Sequence, residues 1–220
     1  SVNIALLYQN VEVAFELILT GGLLDIVNDR LQMLSNGSIN GAGSATYVKT
    51  SGGGFLVIPS PADGSAVIFP VGNSAYNPLT LANAGTQDTF AVRLRDQILE
   101  QNDSGAAITQ DYIDRTWDMS EKKVGGSDLD LTLQWNGSEE LTNFDRTNAQ
   151  VVRFSNGDWA LQMPNMLNGS DPYEITLDDL SQTGSFSVTS AINPQFSVAD
   201  VTILEGDAGT SLLEVEVILD

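Results

Sequence analysis

Apolar and polar residues alternate along most of this chain. The segment Val11-Glu12-Val13-Ala14-Phe15-Glu16-Leu17-Ile18-Leu19-Thr20 sets the pattern, and Leu129-Asp130-Leu131-Thr132-Leu133-Gln134-Trp135 repeats it. A period of two belongs to strands with one buried face. Similar short runs lie at 23–27, 30–34, 46–49, 55–58, 66–69, 79–82, 89–95, 150–154, 159–163, 173–177 and 185–191. Strands this short, separated by Asn-Gly and Gly-rich turns, predict an all-β chain built as a sandwich or barrel. Helical patterning is confined to Asp96–Gln101 and Leu177–Leu180, a turn or two each and too short to organise a domain.

The first fifty residues differ in texture. In "GGLLDIVNDRLQMLSNGSINGAG" about ten residues separate successive apolar clusters, a spacing that fits the coils of a β-solenoid or a flat meander. A few coils bury little by themselves, so this part should lean on a neighbour. Gly52-Gly53-Gly54 and Asn193-Pro194 divide the chain. The expected organisation is a solenoid-like or meander segment over 1–52, a β-sandwich over 53–192, and the first strands of a second, Ig-like sandwich over 193–220.

Composition narrows the chemistry. The 220 residues carry 29 Asp and Glu against 9 Lys and Arg, a formal charge of -20, with no His and no Cys. The side chain that titrates near neutrality and the strongest nucleophile are both missing. The charge opposes DNA, RNA and anionic bilayers, and favours hard cations such as calcium. No apolar run reaches the roughly 18 residues of a membrane helix. The start at Ser1 reads as internal or processed. The alternating end Leu212–Leu219 reads as strand that continues elsewhere, so residues 196–220 are expected to pair with another chain or a continuation.

Individual residue groups have bland readings. Trp117, Trp135 and Trp159 fall on strand-like segments as core aromatics, with a sugar platform as the alternative. Asp128 and Asp130 share one strand face, while Asp178-Asp179 and Asn156-Gly157-Asp158 read as turns. Glu139-Glu140 does not read as a glycosidase pair, because neighbouring strand residues face opposite ways. Asn36, Asn136 and Asn168, each followed by Gly-Ser, read as hairpin turns rather than glycan acceptors; Asn102 also matches the acceptor pattern. Gly52–Gly54 precedes a strand and is no phosphate loop.

Three segments taken together resemble a known layout. They are Ser38-Ile39-Asn40-Gly41-Ala42-Gly43-Ser44-Ala45-Thr46-Tyr47-Val48-Lys49-Thr50, then Phe69-Pro70-Val71-Gly72-Asn73-Ser74-Ala75-Tyr76-Asn77-Pro78-Leu79-Thr80-Leu81, then Asp114-Arg115-Thr116-Trp117-Asp118-Met119 with Leu131–Asn136 and Gly157-Asp158-Trp159. Their order resembles modules of the large surface adhesins and filaments of gliding bacteria exported by type IX secretion, over roughly residues 20 to 192. The segment Phe196–Thr210 resembles the opening of a Calx-β domain. That second resemblance implies a calcium role for Glu205, with Asp207 a lesser candidate. Calcium needs six to eight oxygens, which these two residues do not supply.

The resulting expectation is a non-catalytic structural or adhesive module of an extracellular surface fibre, without a cofactor unless calcium binds. Its partners would be neighbouring copies, adjacent domains or surface glycans, and neither nucleic acid nor an inserted membrane. A secreted carbohydrate-binding module is the alternative. A carboxylate hydrolase would require two carboxyl groups facing each other across a cleft.

Overall fold

The computed structural model describes residues 2–35, 37–162 and 165–191, together with the strand backbone at 196–197 and 218–219. Residues Ser1–Ser190 form one compact unit and Ala191–Asp220 another.

The chain begins as a parallel β-solenoid, not a meander. Its strands are β1 (Ile4–Leu6), β2 (Val11–Val13), β3 (Glu16–Ile18), β4 (Leu23–Asp25), β5 (Arg30–Met33), β6 (Ser38–Asn40), β7 (Val48–Lys49) and β8 (Phe55–Ser60). Three faces stack in register. On the first, β1 pairs with β4 and β4 with β7; on the second, β2 pairs with β5 and β5 with β8; on the third, β3 pairs with β6. All of these pairings are parallel.

Tight corners let the coils stack. Gly22 and Gly41 adopt φ of +77° and +81°, a region open to glycine at little cost. A Cβ at Gly22 would strike the Asn3 carbonyl of the coil below, and one at Gly41 the Leu19 carbonyl. Asparagine side chains stitch the corners together: Asn10 Oδ1 accepts from the Arg30 amide at 2.8 Å, and Asn28 Oδ1 from the Gly53 amide at 2.9 Å.

The sandwich follows: β9 (Ala66–Phe69), β10 (Val71–Gly72), β11 (Leu79–Asn83), β12 (Asp88–Asp96), β13 (Arg115–Glu121), β14 (Leu129–Trp135), β15 (Gln150–Ser155), β16 (Asp158–Leu161), β17 (Asn165–Gly169), β18 (Tyr173–Leu180) and β19 (Gly184–Thr189). One sheet has the order β17-β18-β14-β11-β9. The other has eight strands, β16-β15-β19-β13-β12-β8-β5-β2. Strand β8 bonds β5 in parallel on one edge and β12 antiparallel on the other. It passes directly out of the glycine run Gly52–Gly54, whose Gly52 and Gly54 lie against the Val27 and Asp29 carbonyls. The second face of the solenoid is therefore continuous with a sandwich sheet.

The interior is continuous as well. Ile26, Leu31, Met33 and Val48 of the coils belong to the same apolar cluster as Phe90, Trp117, Leu131 and Phe186. Burial alternates along β12 and β14, as period two requires. On the outer face of the eight-stranded sheet, Ile98, Val152 and Trp159 form a smaller apolar cluster, with Ile108 and Tyr112 packed against it.

Several local expectations need correction. Leu177–Leu180 is not helical but the end of β18. Between Leu129 and Leu131 the register shifts, so Asp178 and Asp179 together oppose Asp130. This is a β-bulge, with Asp179 at φ 57° and its amide donating to Asp130 Oδ1 at 3.3 Å. Asp96 closes β12, and Gln97 at φ 88° turns the chain there in place of a helix. Short 3-10 turns occur instead at Gly137–Glu139 and Arg146–Asn148. Asn156-Gly157 is a two-residue hairpin between Ser155 and Asp158, with φ of 53° and 85°, as a type I′ turn demands. Asn136 is extended ahead of a 3-10 turn and Asn168 lies within β17, so neither is a hairpin turn. Asn36 lies outside the described residues.

In the second unit, β20 (Phe196–Ser197) pairs antiparallel with β21 (Ile218–Leu219). The remainder of residues 198–217, on which the expected pairing with another chain depends, lies outside the described residues.

Candidate functional site

The three segments singled out in the sequence, 38–50, 69–81 and 114–119, meet in space. The first supplies β7 and Tyr47, the second β10 and its following turn, the third the start of β13. Val48 N donates to Pro70 O at 3.0 Å and Thr50 N to Gly72 O at 2.9 Å. The rings of Tyr47 and Tyr76 lie 5.7 Å apart, and the Tyr47 hydroxyl donates to Asn73 O at 3.2 Å. Trp117 Nε1 donates to Asn77 O at 2.9 Å. The continuation Leu131–Asn136 joins the same place, whereas Trp159 lies in the outer-face cluster.

A charged pair sits beneath this meeting point. Arg115 and Glu139 are both buried, with Nη2 donating to Oε1 at 3.0 Å. Arg115 Nε donates to Asn77 Oδ1 at 3.1 Å, and Nη1 to Asp114 O at 2.6 Å. The carboxylate also accepts from Asn77 Nδ2 at 2.6 Å and from the Asn136 amide and side chain at 2.8 Å each. Both oxygens of Glu139 are thus engaged by the protein. Each oxygen accepts two hydrogen bonds from within the junction, which leaves no lone pair of the carboxylate unengaged. The neighbouring Asp114 carboxyl is raised above its ordinary pKa, first by burial and then by Asp96 and Glu139, against the lowering pull of Arg115.

Glu139 and Glu140 point to different partners, as expected, although they lie at a 3-10 turn and not on a strand. Glu140 accepts from Trp135 Nε1 at 3.0 Å and from Arg146 Nε at 2.7 Å. Arg146 in turn lies 4.3 Å above the Tyr173 ring.

A second charge cluster crosses the outer face of the eight-stranded sheet. Asp118 Oδ2 accepts from Arg93 Nε and Arg95 Nε at 2.7 Å each, and Oδ1 accepts from Ser185 Oγ at 2.6 Å. Burial raises the Asp118 pKa, but the Arg95, Ser185 and Arg93 interactions outweigh it and hold the carboxyl below its usual range. Arg93 also covers the Phe55 ring at 5.0 Å.

Above the Arg115–Glu139 pair a groove of about 610 Å³ opens between the coils and one end of the sandwich. Tyr47, Lys49, Asn73, Tyr76, Asn136 and Asp171 line it. Burial raises the pKa of both tyrosines, with Asp96 adding to the effect at Tyr47. They stay neutral hydroxyl donors at ordinary pH. Sequence reading had no means of finding this groove, since its lining comes from coils and turns more than a hundred positions apart.

Two of the tryptophans, Trp117 and Trp135, fill the main core, and Trp159 packs in the outer-face cluster. Trp117 and Trp135 are fully buried and Trp159 is 9% exposed, which leaves no ring free as a sugar platform. The Asp128 amide donates to Asn83 Oδ1, and Asp130, opposite Asp178 and Asp179, accepts from the Asp179 amide at the bulge. Among the described residues no group of three or more acidic side chains could hold a metal ion. Glu205 and Asp207 lie outside the described residues. Among those residues, too, no helix is long and apolar enough to cross a membrane. Compared with models of protein families, with curated proteins and with solved structures, the chain matches none.

Proposed function

We propose that this chain is a non-catalytic structural module of an extracellular surface fibre. One observation carries the reading: β8 belongs at once to the solenoid and to the sandwich, so no flexible joint separates the two parts. A sheet that runs unbroken from coil to sandwich transmits load through a ladder of backbone hydrogen bonds. The polar residues of the adhesin-like segments support the same reading, because they bond to one another at the junction. Calcium at Glu205 and Asp207 stays a proposal within it, to be tested by melting the protein with and without chelator.

The test has two arms. Antibody raised to the chain should label intact cells of its source, and the isolated chain stretched from residues 2 and 190 should extend in one cooperative step. Turnover of any substrate by the isolated chain, or labelling only after cell lysis, would overturn the reading. The groove beside Tyr76 favours a second reading, recognition of a neutral glycan, because it combines a half-buried ring with amide and hydroxyl groups. A glycan array decides it, with Tyr76→Ala as the control that must abolish any signal.

A further inference from the structure

The interior of the solenoid is sealed at one end only. On the first face Ala5 stacks on Leu24, Leu24 on Val48, and Val48 beside Val71. Ala5 is exposed, Leu24 half-buried, and Val48 and Val71 fully buried. The second face repeats the gradient: Val11 is half-buried where its stacked partners Leu31 and Leu56 are 1% and 0% exposed. Val13 likewise is half-buried over Met33 at 1%. Positions that face the core in every coil lose their cover in the first. That coil also holds Val2, Ile4, Leu6, Tyr8, Phe15 and Ile18, six of the nine large apolar residues that stand exposed among the described residues. At the other end the second face is closed by β12 pairing with β8.

We infer that β1–β2–β3 is an interior coil, and that its open end takes one more parallel coil supplied by polypeptide leading directly into Val2. The occupant follows from continuity. Each of the three sheets ends on this coil, and each already grows by parallel stacking at an offset of about 20 positions, as Ile4 on Leu23 and Val11 on Leu31 show. A coil added by the same winding needs no loop, since the chain enters β1 at a solenoid corner. It would place aliphatic residues over Ala5, Val11, Val13 and Leu17. It would place neutral or basic ones over Glu12 and Glu16, which already stack on Gln32 and Ser38.

A second copy of the chain fits this end badly. A two-fold contact would pair β2 antiparallel with itself and set the central Glu12 against its own mate, and like charges directly opposed destabilise a ladder. No Lys or Arg precedes Arg30 to offset that repulsion, and the whole chain carries -20. Exposed strand edges with apolar faces are rarely left open in native proteins.

The experiment inserts a second copy of residues 4–22 directly ahead of Ile4, with Glu12→Gln and Glu16→Gln in the added copy. Amide hydrogen exchange is then followed at Val11–Val13 and Glu16–Ile18 of the original coil. Protection should rise at least tenfold, and should vanish when Val11, Val13 and Leu17 of the added copy become Ser. The same coil supplied as a free peptide is the second arm, so a fusion that misfolds does not end the test. Unchanged exchange in both arms overturns the inference. So does a concentration-dependent dimer of the unextended chain that protects the same amides, because the occupant would then be a second copy.

Discussion

Thr50 and Leu94 exchange two hydrogen bonds across the seam between coil and sandwich. The Thr50 hydroxyl donates to Leu94 O at 2.7 Å and accepts from Leu94 N at 3.0 Å. Both ends of this contact are buried, with Thr50 at 1% exposure and Leu94 at 0%. A single side chain thereby satisfies a stretch of β12 main chain. Thr50→Val keeps the shape and removes both bonds, leaving a buried N–H and C=O unpaired. The expected loss is about 1–3 kcal/mol, read by chemical denaturation. A loss below about 0.5 kcal/mol would mean that the seam is not held there.

Arg115 and Glu139 give a sharper test. Arg115→Met leaves the Glu139 carboxylate buried without its cation, at a cost of about 3–5 kcal/mol. Adding Glu139→Gln to Arg115→Met removes the stranded charge and should recover part of that loss. If the double variant is no more stable than the single one, the pair does not act as a charge pair.

Acid should weaken the fold through Asp118. Its folded pKa lies below the ordinary value, so its contribution is complete above the unfolded pKa of about 3.9. That contribution is lost as pH falls through the folded pKa. Asp114 acts with the opposite sign: its folded pKa is raised, so ionisation there disfavours the fold and acidification relieves it. Denaturation curves taken between about pH 6 and pH 2 should show a shallower acid limb in Asp118→Asn than in the parent. Parallel limbs would assign the acid sensitivity elsewhere.

Gly41→Ala should destabilise the coils and, through the shared sheet and core, the sandwich with them. The position holds φ +81°, and the new methyl group would meet the Leu19 carbonyl. Strain of this kind costs about 1–3 kcal/mol. Amides of β13 and β14 should lose protection together with those of β3 and β6, because sheet and core run through both parts. Loss confined to β3 and β6 would show instead that coil and sandwich unfold separately.

Local alternation determined much of this protein. It gave the all-β class, the positions of most strands, the inward direction of Trp117 and Trp135, and the turn at Asn156-Gly157, because each depends on neighbours within a few residues. The Asp178-Asp179 bulge escaped that reading, since a bulge exists only relative to the strand it opposes. The choice between parallel coils and antiparallel meander also belonged to tertiary structure: the same alternation suits both, and only the stacking of Val11 on Leu31 and Leu56 distinguishes them. Arg115, Asn77 and Glu139 were unreadable for a related reason. Their meeting joins residues 24 to 62 positions apart, and no short-range pattern encodes a bond across that distance.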